Sequence, residues 1–580
     1  MQRNSTDQQD SDQPHHKPPG VDDDEARTTR RTLLAGIGSL GLASVGITVG
    51  GTNVTRGTEA DGSTVGTDPT TTPDELQAFV DEMMESRIGD VTPGASVAIV
   101  SGDTPVLTEG YGSADTDADI PAQGGETLFR IGSVGKLVAW TAVMQGVERE
   151  VLDLDEDVNA YLADSDVTIP DTYDDPVTLR HLGTHTAGFE SALDPDVVTR
   201  PDAIAPLEDV LADNQPSRVR PPGELVGYSN YGAALAGHIV AEVHDTTFED
   251  YARSEIFEPL DMAHSTFAQP VPGEHPGTLA AGHTRDGSAF TTADSVFINM
   301  RPAGSMSATA SDMTAFMWAH LGNGEVGATS VLHPDTLGTM HERHHVRHPA
   351  VTNWRYGFHE YGHPDANLIG HSGATINFTS QLVLAPDHEI GICVTYNTND
   401  QDGEGPAQAV DEILANFGLL PAPTRPSSSP DQGWQERSEM ISGEYSLTYL
   451  PQSGPLQVVD LLEHVTVESV GNGRIVTTSL DGDPREWIET EPYVYQEVGG
   501  HDTLAFEVAA GEVTAMNMSS EPFGVYQPVP FHERQLVTGG ILGGALSGFG
   551  LSLVGWGAVG AKRTWDHRRA SGHRNTEGCR

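Results

Sequence analysis

A serine and a lysine three positions apart are the first residues in this chain whose types and spacing could do chemistry. Ser133 and Lys136 stand at the start of an apolar run, residues 137–144, and Lys136 is the only lysine between Lys17 and Lys562. If the run is a buried helix, the spacing puts the hydroxyl and the amine on one face. The positive end of the helix dipole favours a neutral amine and an oxyanion. The pair therefore suits a serine nucleophile with a lysine base, although Ser-x-x-Lys alone is a weak pattern.

Two later stretches offer partners for this pair. Tyr228 and Asn230 stand on a predicted tight turn, which would place a phenol and an amide on the same side of a cleft. An ordinary Asn-containing turn has the same sequence pattern. His371, Ser372 and Gly373 precede a predicted hairpin over residues 380–397, where a glycine would let a substrate come close to the strand backbone.

The three patterns Ser133-x-x-Lys136, Tyr228-x-Asn230 and His371-x-Gly373 occur in an order and at separations that resemble the serine β-lactamase and penicillin-recognising DD-peptidase superfamily. The resemblance covers about residues 73–420. The Tyr-x-Asn pattern is similar to the class C β-lactamases and their esterase and peptidase relatives. Class C β-lactamases carry Lys-Thr-Gly at the third pattern, whereas a histidine there is typical of the peptidase and esterase relatives.

The resemblance implies a fold and a reaction. The fold class is α/β (α+β), an antiparallel sheet flanked by helices with an all-α subdomain. The reaction is a two-step acyl transfer in which Ser133 attacks a carbonyl while Lys136 and Tyr228 share its proton. The backbone N–H groups of Ser133 and Ala374 would form the oxyanion hole.

The remaining site residues are expected to bind the substrate. Asn230 orients the lysine and the substrate amide, and His371, Ser372 and Gly373 line the strand edge. No metal or cofactor is expected. The histidines of residues 341–348 fit no familiar zinc spacing and are predicted to lie in a polar surface loop.

The net charge of the chain indicates the salt concentration of its surroundings. The 580 residues include 84 acidic and 31 basic ones, for a formal net charge of −53. Because the excess is spread over the whole length, it indicates a folded protein adapted to high salt rather than an acidic tail. The same balance excludes nucleic acid as a partner. Cys393 and Cys579 are expected to lie on opposite sides of a membrane, so no disulfide is predicted.

Composition divides the chain into eight segments. Short alternating runs such as residues 474–478 and 503–508, separated by turns, predict an all-β module that resembles a lipocalin-like barrel. The predicted segments are a disordered N-terminus (1–28), a Tat-type signal or anchor (29–51), a linker (52–72), the hydrolase domain (73–420), a linker (421–436), the β-barrel (437–530), a transmembrane helix (535–561) and a basic cytoplasmic tail (562–580).

The predicted transmembrane helix sets the localisation. Residues 535–561 carry no charge and are long enough to cross a bilayer of about 30 Å. The arginines that follow place the tail in the cytoplasm and both folded domains outside. Gly540, Gly544 and Gly548 could pair two such helices into a homodimer.

Several functions remain open at this point. Within enzymes, the substrate could be a peptide or other amide, an ester or a β-lactam. From other classes, the chain could be a sensor that a β-lactam acylates without turnover, or a non-catalytic scaffold whose barrel binds a surface partner. The intact set of Ser133, Lys136 and Tyr228 favours an enzyme.

Overall fold

The computed structural model describes residues 72–538, with gaps at 103, 192–196, 288, 323–324, 327–328, 400–404, 421–432, 455–459, 461–462, 480–481, 483 and 536, together with residues 552, 556 and 559–565. The predicted disordered N-terminus, the signal and nearly all of the first linker lie outside the described residues. So do most of the second linker, of the transmembrane segment and of the basic tail. No helix among the described residues has the length and apolar character needed to cross a membrane. All the described residues fall within one compact unit.

The N-terminal part is a mixed domain of helices around an antiparallel sheet. Its helices are α1 (Pro73–Arg87), α2 (Gly135–Glu148), α3 (Leu179–Gly183), α4 (Leu207–Asp213), α5 (Asn230–Val243), α6 (Phe248–Ala252), α7 (Arg301–Gly304), α8 (Ala310–Leu321), α9 (Pro334–His341) and α10 (Pro406–Asn416). Its strands are β1 (Gly94–Ser101), β2 (Thr104–Asp115), β3 (Ile120–Pro121), β4 (Thr127–Arg130), β5 (Val197–Val198), β6 (Thr278–Leu279), β7 (His283–Asp286), β8 (Ala289–Thr292), β9 (Phe297–Ile298), β10 (Ser307–Ala308), β11 (Glu325–Val326), β12 (Thr329–Ser330), β13 (His359–Tyr361), β14 (Leu368–Ala374), β15 (Thr379–Ala385) and β16 (Ile390–Tyr396).

Seven of these strands form the main sheet, in the order β13-β14-β15-β16-β1-β2-β3. Successive side chains of β1 alternate between two hydrophobic cores, because side chains on a strand alternate between the faces of a sheet. Val97 and Ile99 pack in one core with α1 and α10. Ala98 and Val100 pack in the other with α2, α5 and α8. With both faces covered, β1 is apolar along nearly its whole length, as the sequence predicted.

Local sequence signals explain where these elements begin. Helix α1 starts in a capping box, in which the Thr72 hydroxyl accepts from the Glu75 N–H and the Glu75 carboxylate accepts from the Thr72 N–H. The predicted hairpin is present as β15 and β16, which pair antiparallel from Thr379 and Tyr396 to Ala385 and Ile390. The prediction of an antiparallel sheet flanked by helices is confirmed.

Helix α2 lies in the middle of the larger core. Its residues from Gly135 to Gly146 are all buried, including Lys136 and Trp140. Helix α5 packs closely because it is rich in small residues: a Cβ added at Gly237 would lie 2.5 Å from Pro302 Cβ. The serine–lysine stretch is therefore held in the most tightly enclosed part of the domain.

The C-terminal part is a closed barrel of eight strands that follows helix α11 (Trp434–Ile441). Its strands are β17 (Gly443–Leu447), β18 (Val465–Gly471), β19 (Arg474–Thr478), β20 (Arg485–Glu491), β21 (Val494–Glu497), β22 (Thr503–Ala509), β23 (Glu512–Met518) and β24 (Tyr526–Pro528). Consecutive strands pair in sequence, and β24 pairs back onto β17 to close the barrel. The prediction of an all-β barrel is confirmed.

The histidines of residues 341–348 lie at the end of helix α9 and in the polar loop that follows it, as predicted, but their rings are half-buried. Burial lowers the pKa of His345 to about 4 and that of His341 well below the ordinary value. Arg347, in the same run, is buried and donates to carbonyl oxygens of the barrel. Glu342, Arg343 and Val346 are exposed, so the run is a surface loop that one buried arginine joins to the barrel.

Buried histidines predict a loss of stability in acid. Burial lowers the pKa of His320, which contacts Thr141 and His341, to about 3. Below pH 6.5 His320 binds a proton in the unfolded chain but stays neutral in the folded protein. The free energy of unfolding therefore falls by about 1.4 kcal/mol per pH unit for such a group. We expect His320→Gln to flatten the fall between pH 6.5 and 5 in denaturant titrations at molar salt. His388→Gln, at an exposed site, is the control, and parallel curves for wild type and His320→Gln would contradict the expectation.

Candidate active site

The Ser133 hydroxyl lies beside the Lys136 amine at the start of α2. Ser133 is half-buried in a 3₁₀ turn, Gly132–Val134, and Lys136 follows in the first turn of the helix with 0% of its surface exposed. The lysine Nζ lies 2.9 Å from Ser133 Oγ, 2.8 Å from Asn230 Oδ1 and 2.6 Å from the Ala303 carbonyl oxygen. The structure therefore brings together Ser133 and Lys136, predicted to be catalytic, and Asn230, predicted to orient the lysine.

Glycine at position 132 lets the serine turn approach β14. Gly132 has φ +52°, and a Cβ there would lie 2.8 Å from the Ala374 nitrogen. Gly373 also faces this turn, because a Cβ at that residue would overlap the Ile131 carbonyl oxygen. The sequence predicted that Gly373 would let a substrate come close to the strand backbone. In the structure, the segment that lies close to Gly373 is the serine turn.

Tyr228 lies beside Ser133, and other aromatic rings pack against its ring. Its phenol is within hydrogen-bonding reach of Ser133, which lowers its pKa, but the larger effect is burial, which raises the pKa well above 10. The ring centroid lies 4.9 Å from Lys136 Nζ and 4.4 Å from the His185 ring. The phenol is therefore protonated, and it can donate a hydrogen bond within the site.

Asn230 owes its position to the start of α5. The Ser229 hydroxyl caps this helix by accepting from the Gly232 N–H at 3.0 Å. Asn230 is the first helical residue, and its amide oxygen faces Lys136. The predicted tight turn is a helix N-terminus, which accounts for the asparagine and the small residues that follow it.

Buried and more exposed residues alternate at the end of strand β14. Ser372 is half-buried and Ala374 is exposed, whereas His371 and Gly373 are buried. Strand β13 pairs only with Leu368, Ile369 and Gly370, so the strand from His371 onward extends past its partner. This edge lies against the serine turn, and the Ala374 N–H is close to the backbone at Gly132.

His371 is a neutral ring beneath that edge. Its Nδ1 donates to the Ser372 carbonyl oxygen at 2.5 Å. Burial lowers its pKa well below 6.5, and the neighbouring His359 and Lys136 lower it further. His371 therefore adds no positive charge to the site, unlike the lysine that class C β-lactamases have at this place.

His185 also belongs to the site, although the predicted site residues did not include it. Its carbonyl accepts from the Gly227 N–H at 2.8 Å, and its Nδ1 accepts from the Ser229 N–H at 3.2 Å. Both residues that flank Tyr228 are thus held by His185. His185 stands outside the three patterns that carry the resemblance, so their residue types and spacing gave no signal for it.

Two further members come from distant parts of the chain. Trp354 lies 4.5 Å from the His185 ring, and Phe523, in the barrel, lies 5.0 Å from the Tyr228 ring. Neither stands in a recognisable motif, so no sequence signal could have found them. No group of three or more His, Cys, Asp or Glu side chains in the described part of the chain could hold a metal ion.

The family model for Beta-lactamase matches residues 76–416, more than half of the chain. Together with the fold, this match shows the class of protein: the chain belongs to the Beta-lactamase family. Two curated proteins illustrate its relatives. Protein flp of Staphylococcus aureus (strain N315) is 24% identical over 343 residues, covering 56% of this chain and 64% of that protein. Penicillin-binding protein 4 of Amycolatopsis lactamdurans is 27% identical over 310 residues, covering 51% of this chain and 78% of that protein. The chain thus spans less than two thirds of the length of flp.

Solved structures share the fold over a longer part of the chain. The octameric penicillin-binding protein homologue from Pyrococcus abyssi matches with a TM-score of 0.50 and 21% identity, covering 78% of this chain and 99% of that one. The crystal structure of SurE matches with a TM-score of 0.55 and 20% identity, covering 79% of this chain and 99% of that one. Both shares exceed the part that the family model matches, so the likeness in fold extends beyond residues 76–416.

The left-handed backbone at Gly132 predicts a sensitive position. In Gly132→Ala the new Cβ would meet the backbone of Ala374 and the residue would be held at φ +52°. We expect the free energy of unfolding to fall by about 1–3 kcal/mol. Gly125→Ala is the matched control, since a Cβ there meets nothing within 4 Å. Denaturant titration checks the difference, and equal stability of the two variants would contradict the expectation.

Proposed function

We propose that the chain is a serine hydrolase that cleaves an amide or ester bond through an acyl-enzyme on Ser133. The observation that carries this proposal is the 2.9 Å separation between Lys136 Nζ and Ser133 Oγ. A serine hydroxyl is a weak nucleophile until a neighbouring base accepts its proton. A buried amine at hydrogen-bonding distance is such a base.

Two further contacts of Lys136, with Asn230 and Ala303, suit the neutral form of the amine. A neutral amine has two N–H bonds and one lone pair. The oxygens of Asn230 and Ala303 can only accept, so they take the two N–H bonds. The lone pair is then left for the Ser133 O–H. Burial also favours the neutral amine, because it disfavours a charged group.

In the proposed reaction, Ser133 and Lys136 end each cycle in their starting protonation states. As Ser133 Oγ bonds to the substrate carbonyl carbon, its proton passes to Lys136. The leaving amine or alcohol takes that proton as its bond to the carbonyl carbon breaks. Water then attacks the acyl-enzyme, gives a proton to the same base and releases the acid, and Ser133 recovers its proton. Tyr228, protonated at rest, relays the proton by donating toward the leaving group while it accepts from Lys136.

Backbone groups would stabilise the oxyanion. The N–H groups of Ser133 and Ala374 are the proposed donors, and the close approach of Gly132 to Ala374 supports this pairing. A single donor of this kind is worth about 3 kcal/mol in the transition state. Ser372 and Gly373 would hold the substrate along the same strand edge, with Asn230 facing its amide.

The neutral His371 favours a peptide or ester substrate over a β-lactam. A lysine at this place would present a cation to the substrate, whereas His371 presents an uncharged ring below the strand. We therefore propose a peptidase or esterase whose substrate is a small molecule or peptide with a reactive carbonyl. No cofactor takes part in this scheme.

Labelling of Ser133 tests the proposal directly. The full chain, in detergent and molar salt, is treated with a fluorophosphonate and separately with a penicillin, and its intact mass is measured. We expect one fluorophosphonate adduct that Ser133→Ala abolishes. Lys136→Arg puts a guanidinium that stays protonated in place of the amine, so it cannot accept the serine proton and labelling should slow by about 10²–10⁴-fold.

Three outcomes of this labelling experiment would contradict the proposal or favour another function. Ser311→Ala, at an exposed serine, is the control and should label as the wild type does. A stable penicillin adduct without turnover would favour a β-lactam sensor. No adduct with either reagent on folded protein would favour a non-catalytic scaffold. Wild-type labelling in Lys136→Arg would refute the role of the lysine.

We further propose that residues 535–561 anchor the chain in the cell membrane with both folded domains outside. The support is the uncharged composition of this segment and the arginines that follow it. The net charge of −53 supports adaptation to high salt, where the Debye length is about 3 Å and self-repulsion is screened. A lipocalin-like role of the barrel and dimerisation through Gly540, Gly544 and Gly548 belong to the same proposal.

Cell fractionation tests the anchor. We expect the full chain in the membrane pellet, resistant to molar salt and released by detergent, because an apolar span is held by lipid rather than by charge. A chain ended after Thr538 should be recovered without detergent. External protease should degrade the barrel in intact cells. Recovery of the full chain in the supernatant would contradict the proposal.

A further inference from the structure

The backbone of one barrel loop accepts hydrogen bonds from side chains of the hydrolase domain. Residues 519–525 join β23 to β24, and four of their carbonyl oxygens accept hydrogen bonds from side chains of residues 347–354. These bonds are Thr352 Oγ1 to Ser519 at 2.7 Å, Arg347 Nη1 to Glu521 at 2.8 Å and to Gly524 at 2.9 Å, and Trp354 Nε1 to Pro522 at 2.6 Å. Because the donors come from buried or rigid side chains, the loop has a defined position on the domain.

The same loop reaches the backbone of Tyr228. The Tyr228 N–H donates to the Phe523 carbonyl oxygen at 2.9 Å, and Gly227 forms an antiparallel bridge with Gly524. A second barrel segment supports the contact, since the Thr448 hydroxyl donates to the Val226 carbonyl and accepts from the Val525 N–H. The segment that carries Tyr228 is therefore paired with the barrel.

The Phe523 ring covers the Tyr228 ring. Their centroids are 5.0 Å apart with the planes at 79°, an edge-to-face contact. Tyr449, also in the barrel, lies 5.9 Å from the same ring. Tyr228 and Trp354 share one apolar cluster with barrel residues Ala515 and Val525. Much of the burial that keeps the Tyr228 phenol protonated is thus supplied by the barrel.

We propose that Phe523 is a positioning residue for Tyr228, so that the active site is complete only with the barrel in place. This inference rests on the proposed function, because it concerns the group that relays the proton. Phe523 acts through the Tyr228 ring: it holds the phenol toward Ser133 and keeps water from it. The barrel is then a structural part of the catalytic centre.

Phe523 suits a test by substitution because it is only partly buried. Removing its ring leaves the buried barrel residues and the backbone bonds of the loop in place. The expected result of Phe523→Ala is a hydrated, more mobile phenol. Phe531→Ala is the matched control, since that phenylalanine is 72% exposed in the same domain.

The first measurement is independent of catalysis. The 14 tyrosines are titrated by ultraviolet absorbance between pH 9 and 12 in molar salt. In Phe523→Ala we expect one additional tyrosine to titrate in this range, as its phenolate becomes hydrated. The additional step should be absent from the double variant Phe523→Ala/Tyr228→Phe and from Phe531→Ala. A titration curve unchanged from wild type would overturn the inference.

The second measurement follows the reaction. We expect the rate of fluorophosphonate labelling of Ser133 to fall by about 10²-fold in Phe523→Ala, because a displaced proton relay costs about this factor. The pH profile of labelling should also shift. Phe523→Tyr keeps the ring and should restore the rate to within about threefold, which a purely structural role of the loop would not predict.

The two failures are distinguishable. If wild-type protein is not labelled, the proposed function fails, and the titration alone decides whether Phe523 buries Tyr228. If wild type is labelled and Phe523→Ala labels at the same rate with the same pH profile, the positioning role fails and the hydrolase stands. Circular dichroism verifies folding, and Phe523→Leu replaces the alanine variant if the latter does not fold.

Discussion

The burial of one lysine is the constraint on which the arrangement of this domain depends. An ammonium or amine enclosed in an apolar core is costly unless every polar atom has a partner. Lys136 has no exposed surface, and its partners Ser133, Asn230 and Ala303 come from three different helices or turns. Helices α2, α5 and α7 must therefore keep one relative position. The small residues of α5 make this packing possible.

The surroundings of Tyr228 depend on contacts between the two domains. Tyr228 receives its surroundings from the His185 loop on one side and from the barrel on the other. The contacts on the barrel side are largely backbone hydrogen bonds together with packed rings. Such contacts fix geometry without depending on charge, so they would keep their strength in the high salt that we propose for the surroundings of the protein. Ion pairs on the surface would be screened under those conditions.

Sequence reasoning reached the local features of the site because each depends on neighbours along the chain. The i, i+3 spacing predicted that Ser133 and Lys136 lie together, and the alternating runs predicted the hairpin that follows His371, Ser372 and Gly373. Sequence reasoning missed the burial of Arg347, because the carbonyl oxygens that this side chain contacts belong to a barrel much later in the chain. It also could not find Phe523, since a single phenylalanine in a strand connection has no pattern to distinguish it.

The sequence by itself determined the reactive groups, the fold class and the presence of a barrel. The reactive groups follow from residue type and spacing, the barrel from alternating runs, and the fold class from the resemblance that three short motifs carry. Only the tertiary structure decided which atoms share the Lys136 amine, that His371 is neutral, and that the barrel covers Tyr228. Those facts depend on burial and on contacts between distant segments. Burial is a property of the whole packed molecule, and no local spacing encodes it.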